Sequence, residues 1–433
     1  MKIHFIGIGG IGVSALARYY LAAGHAISGS DLTQSEITDE LAALGADIKI
    51  GRHAKSRLAS DIDRVIYTAA VPEKNPELKA ARERNIPVQS YAEALGELTR
   101  EYKTITISGS HGKSTTTALA ALILEEGYCD PTVIIGTKLK EFGGSNFRKG
   151  RGTHLLLEAD EWNRSLLNYS PHIAVVTNID VEHLDTYKNV EAIEDTFREY
   201  LAKVPKDGKI IANADDERLH KVAQKFGKKV VWYSLDDRCA TQVKKILKIP
   251  GQHNLSNALG ALALGRVLGI NESAALKALS HYTGAWRRFE FMGMREGAFV
   301  YADYGHHPRE IAATLAGARE KFPYRRVWCV YQPHQYQRLQ YLWDDFVGAF
   351  DHADRVVLLP VYAVAGREKE KIKPLHTSKR LADELATRGK NTNYCASFDA
   401  AKEFLASELH SGDIALFMGA GDVYDLTKDF LSD

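Results

Sequence analysis

The chain has 433 residues, 45% of them hydrophobic, 26% charged and 9% aromatic, an ordinary globular composition whose length suggests about three domains. Lys and Arg number 56 against 55 Asp and Glu, a formal net charge of +1, so the strong basic field that general nucleic-acid or anionic-membrane binding needs is missing. No apolar run approaches the ~18 residues of a membrane span, and Cys129, Cys239, Cys329 and Cys395 have neither zinc nor disulfide spacing; a cytoplasmic protein without nucleic-acid or membrane partners is expected.

From the N-terminus, MKIHFIGIGG predicts a strand at 4–8 running directly into a glycine loop, without the pattern of a signal peptide. Further strands are predicted at 64–70, 104–108, 153–160, 172–179, 228–233, 326–331, 355–360 and 413–420. Amphipathic helical stretches alternate with them, among them 12–24 and 254–269. This alternation implies α/β architecture, with parallel sheets covered by helices and ligands at the carboxyl ends of strands. The charged stretch SYAEALGELTREYK at 90–103 and the stretch HYTGAWRRFEFMGMREG at 281–297 each precede a fresh strand. They divide the chain into three expected domains, 1–100, 101–288 and 289–433.

The first glycine loop, Gly7-Ile-Gly9-Gly10-Ile-Gly12, has the G-x-G-x-x-G pattern between strand and helix, and Asp31 ends the second strand about twenty residues later. Glycines there permit a tight turn and let backbone N–H groups approach a pyrophosphate. The pattern fits NAD and another nucleotide diphosphate equally, and a glycine turn that merely packs strand on helix remains open. The second loop is Gly109-Ser110-His111-Gly112-Lys113-Ser114-Thr115, between the strand TITIS and the helix TTTALAALILEEG. Its backbone can cradle phosphates, Lys113 can reach β/γ oxygens and the Ser114 hydroxyl can ligate Mg²⁺. It is not a full P-loop pattern, because Ile107 stands five positions before Gly112. Two nucleotide loops in one chain count against a simple NAD-dependent dehydrogenase.

Two strands of the middle segment end in acids, Glu158-Ala-Asp160-Glu161 and Asp180-Val-Glu182-His183-Leu-Asp185. A carboxylate at a strand end beside a phosphate loop completes a Mg²⁺ site in many folds. A solvated acidic loop is the plainer alternative. No H-x-x-x-H helix spacing points to zinc.

The ordered set HFIGIGGIG, SGSHGKSTTT, EADE, TNIDVEHLDTY, GQHNLSNALGAL, GAWRRFE, ADYGHHPREI, YQPHQYQR and GAGD resembles the Mur ligases over the whole chain. The resemblance implies an N-terminal Rossmann-like domain for a UDP-sugar, a central P-loop ATPase-type domain and a C-terminal Rossmann-like domain. The implied activity is ATP-dependent addition of L-alanine to UDP-N-acetylmuramate, through an acyl phosphate enclosed by a mobile third domain. By the same resemblance Gly9, Gly10 and Gly12 lie against the UDP diphosphate, with Asp31 near the nucleoside. Gly109, Ser110, His111, Gly112, Lys113, Ser114 and Thr115 wrap the ATP phosphates, and Ser114, Glu158 and His183 hold Mg²⁺. His253, Asn254 and Asn257 meet the adenine, although Asn254 and Asn257 also read as helix caps. Arg288, which also reads as a surface cation, reaches the γ-phosphate; Asp303 takes the ATP ribose; Tyr304, His334 and Arg338 surround the amino acid. Lys113, Glu158, His183 and Arg288 are the implied catalytic set, in a monomer or homodimer.

Departures from the family pattern are Gln335 where Arg is usual after Q-P-H, Ala302 in place of an acid, and Ser110 and Ser114 where Thr is usual. The segment 189–202 has no lysine, which agrees with the alanine-adding branch rather than those using a carbamylated lysine. A ligase that attaches a preformed peptide to the same sugar nucleotide is the neighbouring alternative.

Overall fold

The computed structural model describes residues 1–180, 186–363 and 375–432. Among these residues the chain forms two compact units, one of Met1–Ile246 with Ser256–Tyr282, the other of Leu247–Leu255 with Thr283–Asp433.

The first unit carries two of the three sheets. One has five parallel strands, in the order Asp47–Ile50, Ala26–Asp31, Lys2–Ile6, Arg64–Tyr67 and Val88–Ser90. The expected strand at 4–8 ends at Ile6, because Gly7 enters the left-handed region at φ +79° and turns the chain into the helix Ile11–Ala22. The second sheet has seven strands, with Lys103–Ser108 between Ile173–Val176 and His154–Ala159. Lys103–Ser108 is buried along all but its first residue, so the alternating Thr104, Thr106 and Ser108 hydroxyls are buried along with Ile105 and Ile107. Beyond His154–Ala159 the sheet adds Thr132–Leu139 and the antiparallel Ser145–Arg148, a hairpin the sequence reading did not anticipate. The strand expected at 172–179 stops at Val176; Thr177 to Asp180 leave the ladder and pack around the second glycine loop.

Apolar packing runs without a break from one sheet of this unit to the other, from Phe5 and Leu16 through Leu98 and Leu166 to Phe197. Polar contacts reinforce it. The Lys138 ammonium pairs with Glu40 at 2.7 Å, and the Asn146 amide donates to Ile11 O at 2.5 Å and Ser14 Oγ at 2.8 Å. The first glycine loop and its helix are thereby fixed to the hairpin beside the second loop.

The second unit is built on a six-stranded sheet, in the order Glu290–Arg295, Ala298–Asp303, Ile414–Met418, Val327–Tyr331, Arg355–Leu358 and Thr392–Tyr394. All neighbours are parallel except the first pair, whose register shifts between Phe291 and Gly293. Helices Pro308–Lys321 and Ser378–Thr387 lie on one face, where Ile311, Leu315, Leu381 and Leu385 pack on the strands. The other face is covered by Phe398–Glu408 and Val423–Ser432 through Leu405, Leu426 and Phe430.

Candidate active site

The first glycine loop is held from below. Gly7 and Ile8 donate to Ser30 O at 2.8 and 3.1 Å, and Gly9 N–H donates to Asp31 Oδ2 at 2.8 Å. Asp31 therefore closes the loop as well as flanking it. The three expected glycines differ in what they do. A Cβ at Gly9 would stand 2.9 Å from Asp31 Oδ2, and one at Gly12 would stand 3.1 Å from the Tyr91 ring, whereas Gly10 has room. Gly12 thus permits close packing of the helix on Tyr91, and Gly9 and Gly10 form the turn. Gly7 belongs with them: a Cβ there would meet Thr68 Cγ2 at 2.3 Å.

The second loop is fastened by the segment that leaves the neighbouring strand. Asn178 accepts the His111 N–H at 2.9 Å and donates to His111 O at 3.0 Å, while Thr177 donates to the same carbonyl at 2.6 Å. Ser110 Oγ accepts the Asp180 N–H at 2.8 Å, and His111 Nε2 lies 3.1 Å from Asp180 Oδ2. Gly109 at φ +127° and Gly112 at φ +83° supply left-handed backbone. A side chain at either would collide, at 2.2 Å from Thr177 Oγ1 and 2.2 Å from Asn257 Oδ1 respectively. Asn257 thus comes against the phosphate loop. Asn254 donates to Pro250 O at 2.7 Å, and His253 packs on Gly251 in the turn before the helix Gln252–Val267. Those two residues fall in the second unit's segment and Asn257 in the first.

Lys113 opens the helix Lys113–Glu126, so its N–H and those following face the loop. Its ammonium donates to Gly109 O at 2.6 Å, Ser110 O at 3.1 Å and Glu161 Oε2 at 2.9 Å. Glu161 is almost wholly buried and was not among the expected contacts; Tyr187 donates to its carbonyl at 2.5 Å. Ser114 and Thr115 follow on the same buried first turn. Ser114 Oγ donates to Glu158 Oε2 at 3.1 Å, and Gly136 N–H donates to Oε1 at 2.7 Å. A hydroxyl and a carboxylate side by side at a phosphate loop are hard oxygen donors of the kind Mg²⁺ takes, so the residues fit that ion. His183, the third expected ligand, lies outside the described residues.

In the second unit the strand Ala298–Asp303 delivers Asp303, whose carboxylate accepts Phe289 N–H and Gly305 N–H, each at 2.8 Å, and faces Thr314 Oγ1 at 3.4 Å. Burial pushes its pKa up, against the opposing pull of Arg288 and the two amides. Asp303 thus organises the turn here through two backbone amides. The expected amino-acid residues do assemble. Tyr304 carries the Arg288 guanidinium 5.1 Å from its ring centre and that of Arg287 at 4.8 Å. His306 lies edge-on to both Tyr304 and His334, at 5.3 and 5.7 Å. Arg338 donates to His334 O at 3.2 Å, and His334 stacks on Tyr362 at 5.5 Å. Burial, then the Arg338 charge, hold the His306 pKa well below its ordinary value. His306 joins Tyr304, His334 and Arg338 as the member of this cluster that motif reading missed. Gln335 stands beside it at φ +70° and donates its N–H to Tyr362 O at 2.9 Å.

Parallel sheets with glycine loops at strand–helix junctions, a lysine and serine on a phosphate-loop helix, and a carboxylate beside the serine define a nucleotide-dependent phosphoryl-transfer protein of the P-loop type. Family profiles match nearly the whole chain: "Mur ligase family, catalytic domain" over residues 2–103, "Mur ligase middle domain" over 107–265 and "Mur ligase, glutamate ligase domain" over 287–421. Among curated relatives, the UDP-N-acetylmuramate–L-alanine ligase of Caldanaerobacter subterraneus is 38% identical, covering 100% of this chain and 97% of its own length. That of Clostridium acetobutylicum is 39% identical with the same coverage, 100% and 97%. The crystal structure of the UDP-N-acetylmuramate-alanine ligase MurC from Thermotoga maritima superposes with a TM-score of 0.84 at 29% identity, covering 100% of this chain and 98% of that one. A murein peptide ligase from Psychrobacter arcticus, 22% identical with a TM-score of 0.73 and coverage of 100% and 98%, shares the fold. The chain belongs to the Mur ligase family.

Proposed function

We propose that this chain is an ATP-dependent amide ligase that joins L-alanine to the lactyl carboxylate of UDP-N-acetylmuramate in peptidoglycan precursor synthesis, in the cytoplasm. The observation that carries the reading is the pair of glycine loops in one unit, the second with Lys113 on Glu161 and Ser114 on Glu158. Full-length likeness to alanine-adding relatives supports it. No helix among the described residues is long and apolar enough to cross a membrane.

A carboxylate and an amine do not condense in water, because oxide is a very poor leaving group. The lactyl carboxylate attacks the γ-phosphorus of ATP, the bond to the β-phosphate oxygen breaks, and ADP leaves with its electron pair. The amine of L-alanine then attacks the acyl carbon, phosphate departs, and the ammonium proton passes to solvent or a nearby base. Such transfers rest on positioning and charge neutralisation. The N–H groups of Gly109 to Thr115 hold the phosphates, and Lys113 exchanges its contacts to Gly109 O and Glu161 for phosphate oxygens. Arg288 is the second cation the family pattern assigns. Ser114 and Glu158 would hold Mg²⁺, which supplies further neutralisation of the phosphoryl oxygens when bound. At the other substrate, Arg338 offers its guanidinium to the carboxylate of the amino acid, and Tyr304 and His334 wall its side chain. Water must be kept from the acyl phosphate, since hydrolysis would discard it.

The test is phosphate release with Mg-ATP and UDP-N-acetylmuramate, across a panel of single amino acids and a control with none. Release that requires both the sugar nucleotide and L-alanine is expected; release with a different amino acid keeps the reaction and changes the substrate. Lys113→Ala should abolish ADP formation while UDP-sugar binding persists, and near-normal turnover in that variant would remove the role given to the second loop.

A further inference from the structure

The first unit contains a polar cluster that none of these roles uses. Glu77, in the first turn of the helix Pro76–Glu83, is 0% exposed, and His4, in the strand Lys2–Ile6, is 1% exposed. Glu77 Oε2 faces His4 Nε2 at 2.9 Å and accepts from Ser30 Oγ at 2.7 Å. Its Oε1 faces His53 Nδ1 at 2.9 Å, with the Ala54 N–H at 3.4 Å. Burial alone would raise the Glu77 pKa, but hydrogen bonds from His4, Ser30 and His53 outweigh it and bring the pKa down to about 2. Four donors converge on the two oxygens, and an ionised carboxylate can only accept, so each imidazole nitrogen turned toward it carries a proton. His4 is satisfied at both ends, its Nδ1 lying 2.9 Å from Ser28 Oγ. His53 is different. Its side chain keeps 13% of its exposure, and its Nε2 has no hydrogen-bond partner among the described residues.

Where His53 stands gives that nitrogen a use. Gly51, two residues earlier, donates its N–H to Asp31 O at 2.9 Å. Ser30 Oγ lies 3.2 Å from His53 Nδ1, and the Ser30 carbonyl accepts the Gly7 and Ile8 N–H groups of the first glycine loop at 2.8 and 3.1 Å. The imidazole thus sits at the carboxyl end of the parallel strands, one hydrogen bond from the residue that holds the loop, where such sheets take the nucleoside of a bound nucleotide.

We propose that His53 is a specificity-determining residue of the nucleotide site at the first loop: its ring, fixed with Nδ1–H on Glu77, offers Nε2 as an acceptor to a hydrogen-bond donor of the bound nucleoside. Glu77 and Ser30 are positioning residues that set the tautomer. This rests on reading the first loop as the UDP-sugar site. Uridine has two groups of the required chemistry, the imide N3–H and the ribose hydroxyls. Cytosine, whose N3 is an acceptor, would put two lone pairs face to face if the base is the group read.

Calorimetric titration of the full chain with UDP, N3-methyl-UDP, 2′-deoxy-UDP and 3′-deoxy-UDP tests this in the wild type and in His53→Ala. The variant should bind UDP about tenfold more weakly, the loss of one hydrogen bond to a desolvated group. That penalty should vanish for the analogue lacking the donor: N3-methyl-UDP if the base is read, a deoxy analogue if the ribose is. His53→Phe, which fills the space without an acceptor, should give the same pattern, and unchanged binding of a non-hydrolysable ATP analogue reports that the unit is folded. Equal weakening toward all four nucleotides, or none, would overturn the proposal and leave His53 a structural residue. A wild-type chain that binds the ATP analogue but no UDP would instead remove the site reading beneath it.

Discussion

The ammonium of Lys113 lies 2.9 Å from a carboxylate oxygen of Glu161, a residue 1% exposed. The lysine of the phosphate loop is thus parked on a buried acid, and phosphate oxygens must compete with that acid for it. Removing the acid leaves a mostly buried cation beside the loop carbonyls and the more distant Asp160 carboxylate at 4.0 Å. Glu161→Ala should lower stability by about 3 kcal/mol, within the range for breaking a buried pair. A non-hydrolysable ATP analogue should recover part of it by supplying new anions, and thermal unfolding with and without the analogue measures both. An unchanged midpoint would mean that the remaining partners of Lys113, the loop carbonyls and Asp160 among them, satisfy it without Glu161.

A methyl group at position 112 would have no room, because Asn257 Oδ1 would lie 2.2 Å from it, and the backbone there is at φ +83°. Gly112→Ala should therefore abolish measurable ATP-analogue binding. The double variant Gly112→Ala with Asn257→Ala removes the collision but keeps the strained φ, which costs roughly 1 kcal/mol or more. It should recover only part of the affinity, and full recovery would show that sterics alone fix the glycine.

Glu77 makes a prediction about acid. Its folded pKa is lowered from 4.5 to about 2, so it binds fewer protons in the folded chain than in the unfolded one. The stability this provides is fully present above 4.5 and is lost as pH falls toward 2. A depression of that size corresponds to at most about 3 kcal/mol. Urea unfolding of the first unit between pH 6 and pH 3 should show a steeper loss for the wild type than for Glu77→Gln. Parallel curves would mean that the carboxylate is not held ionised by its donors.

Gln335 occupies the place where the family pattern has arginine, beside Arg338 and His334. Its φ of +70° strains glutamine and arginine alike, so exchanging one for the other leaves the backbone cost unchanged. Gln335→Arg should lower the KM for L-alanine by about threefold to tenfold through a charge-assisted contact to the substrate carboxylate. An unaltered KM would show that Arg338 already meets that carboxylate fully.

The parts of the site legible in the sequence are those where backbone geometry dictates residue type. Gly109 and Gly112 stand out because nothing with a side chain adopts their conformation in that space. Ser114 and Glu158 were expected together because a phosphate loop and a strand-end acid have a fixed relation in parallel sheets, and they do meet. Residues that act by holding others left no local sign. Asn178 grips His111 from 67 residues away, and Glu77 fixes His53 from 24 away. Their signal lies in tertiary pairing and not in spacing. Thr177 and Asn178 were hidden for a second reason: their apolar predecessors prolong the strand pattern, while the structure ends that strand at Val176 and spends the next residues on the loop. Asp303, expected from the family pattern at the ATP ribose, also holds the amides of Phe289 and Gly305, partners that no motif spacing displays.

The outer strand of the third sheet, Glu290–Arg295, presents the half-exposed side chains of Phe291 and Met294 at an open edge. An open edge with such residues invites a second molecule to add its own strand. The register break between Phe291 and Gly293, with Gly293 at φ +149°, interrupts the row of hydrogen-bonding groups after a few residues, and Arg295 turns back to the Phe430 carbonyl. Both features shorten the run of groups a further strand could pair with, and they are matters of backbone geometry, so they should persist at high salt, where repulsion between charged molecules is screened away.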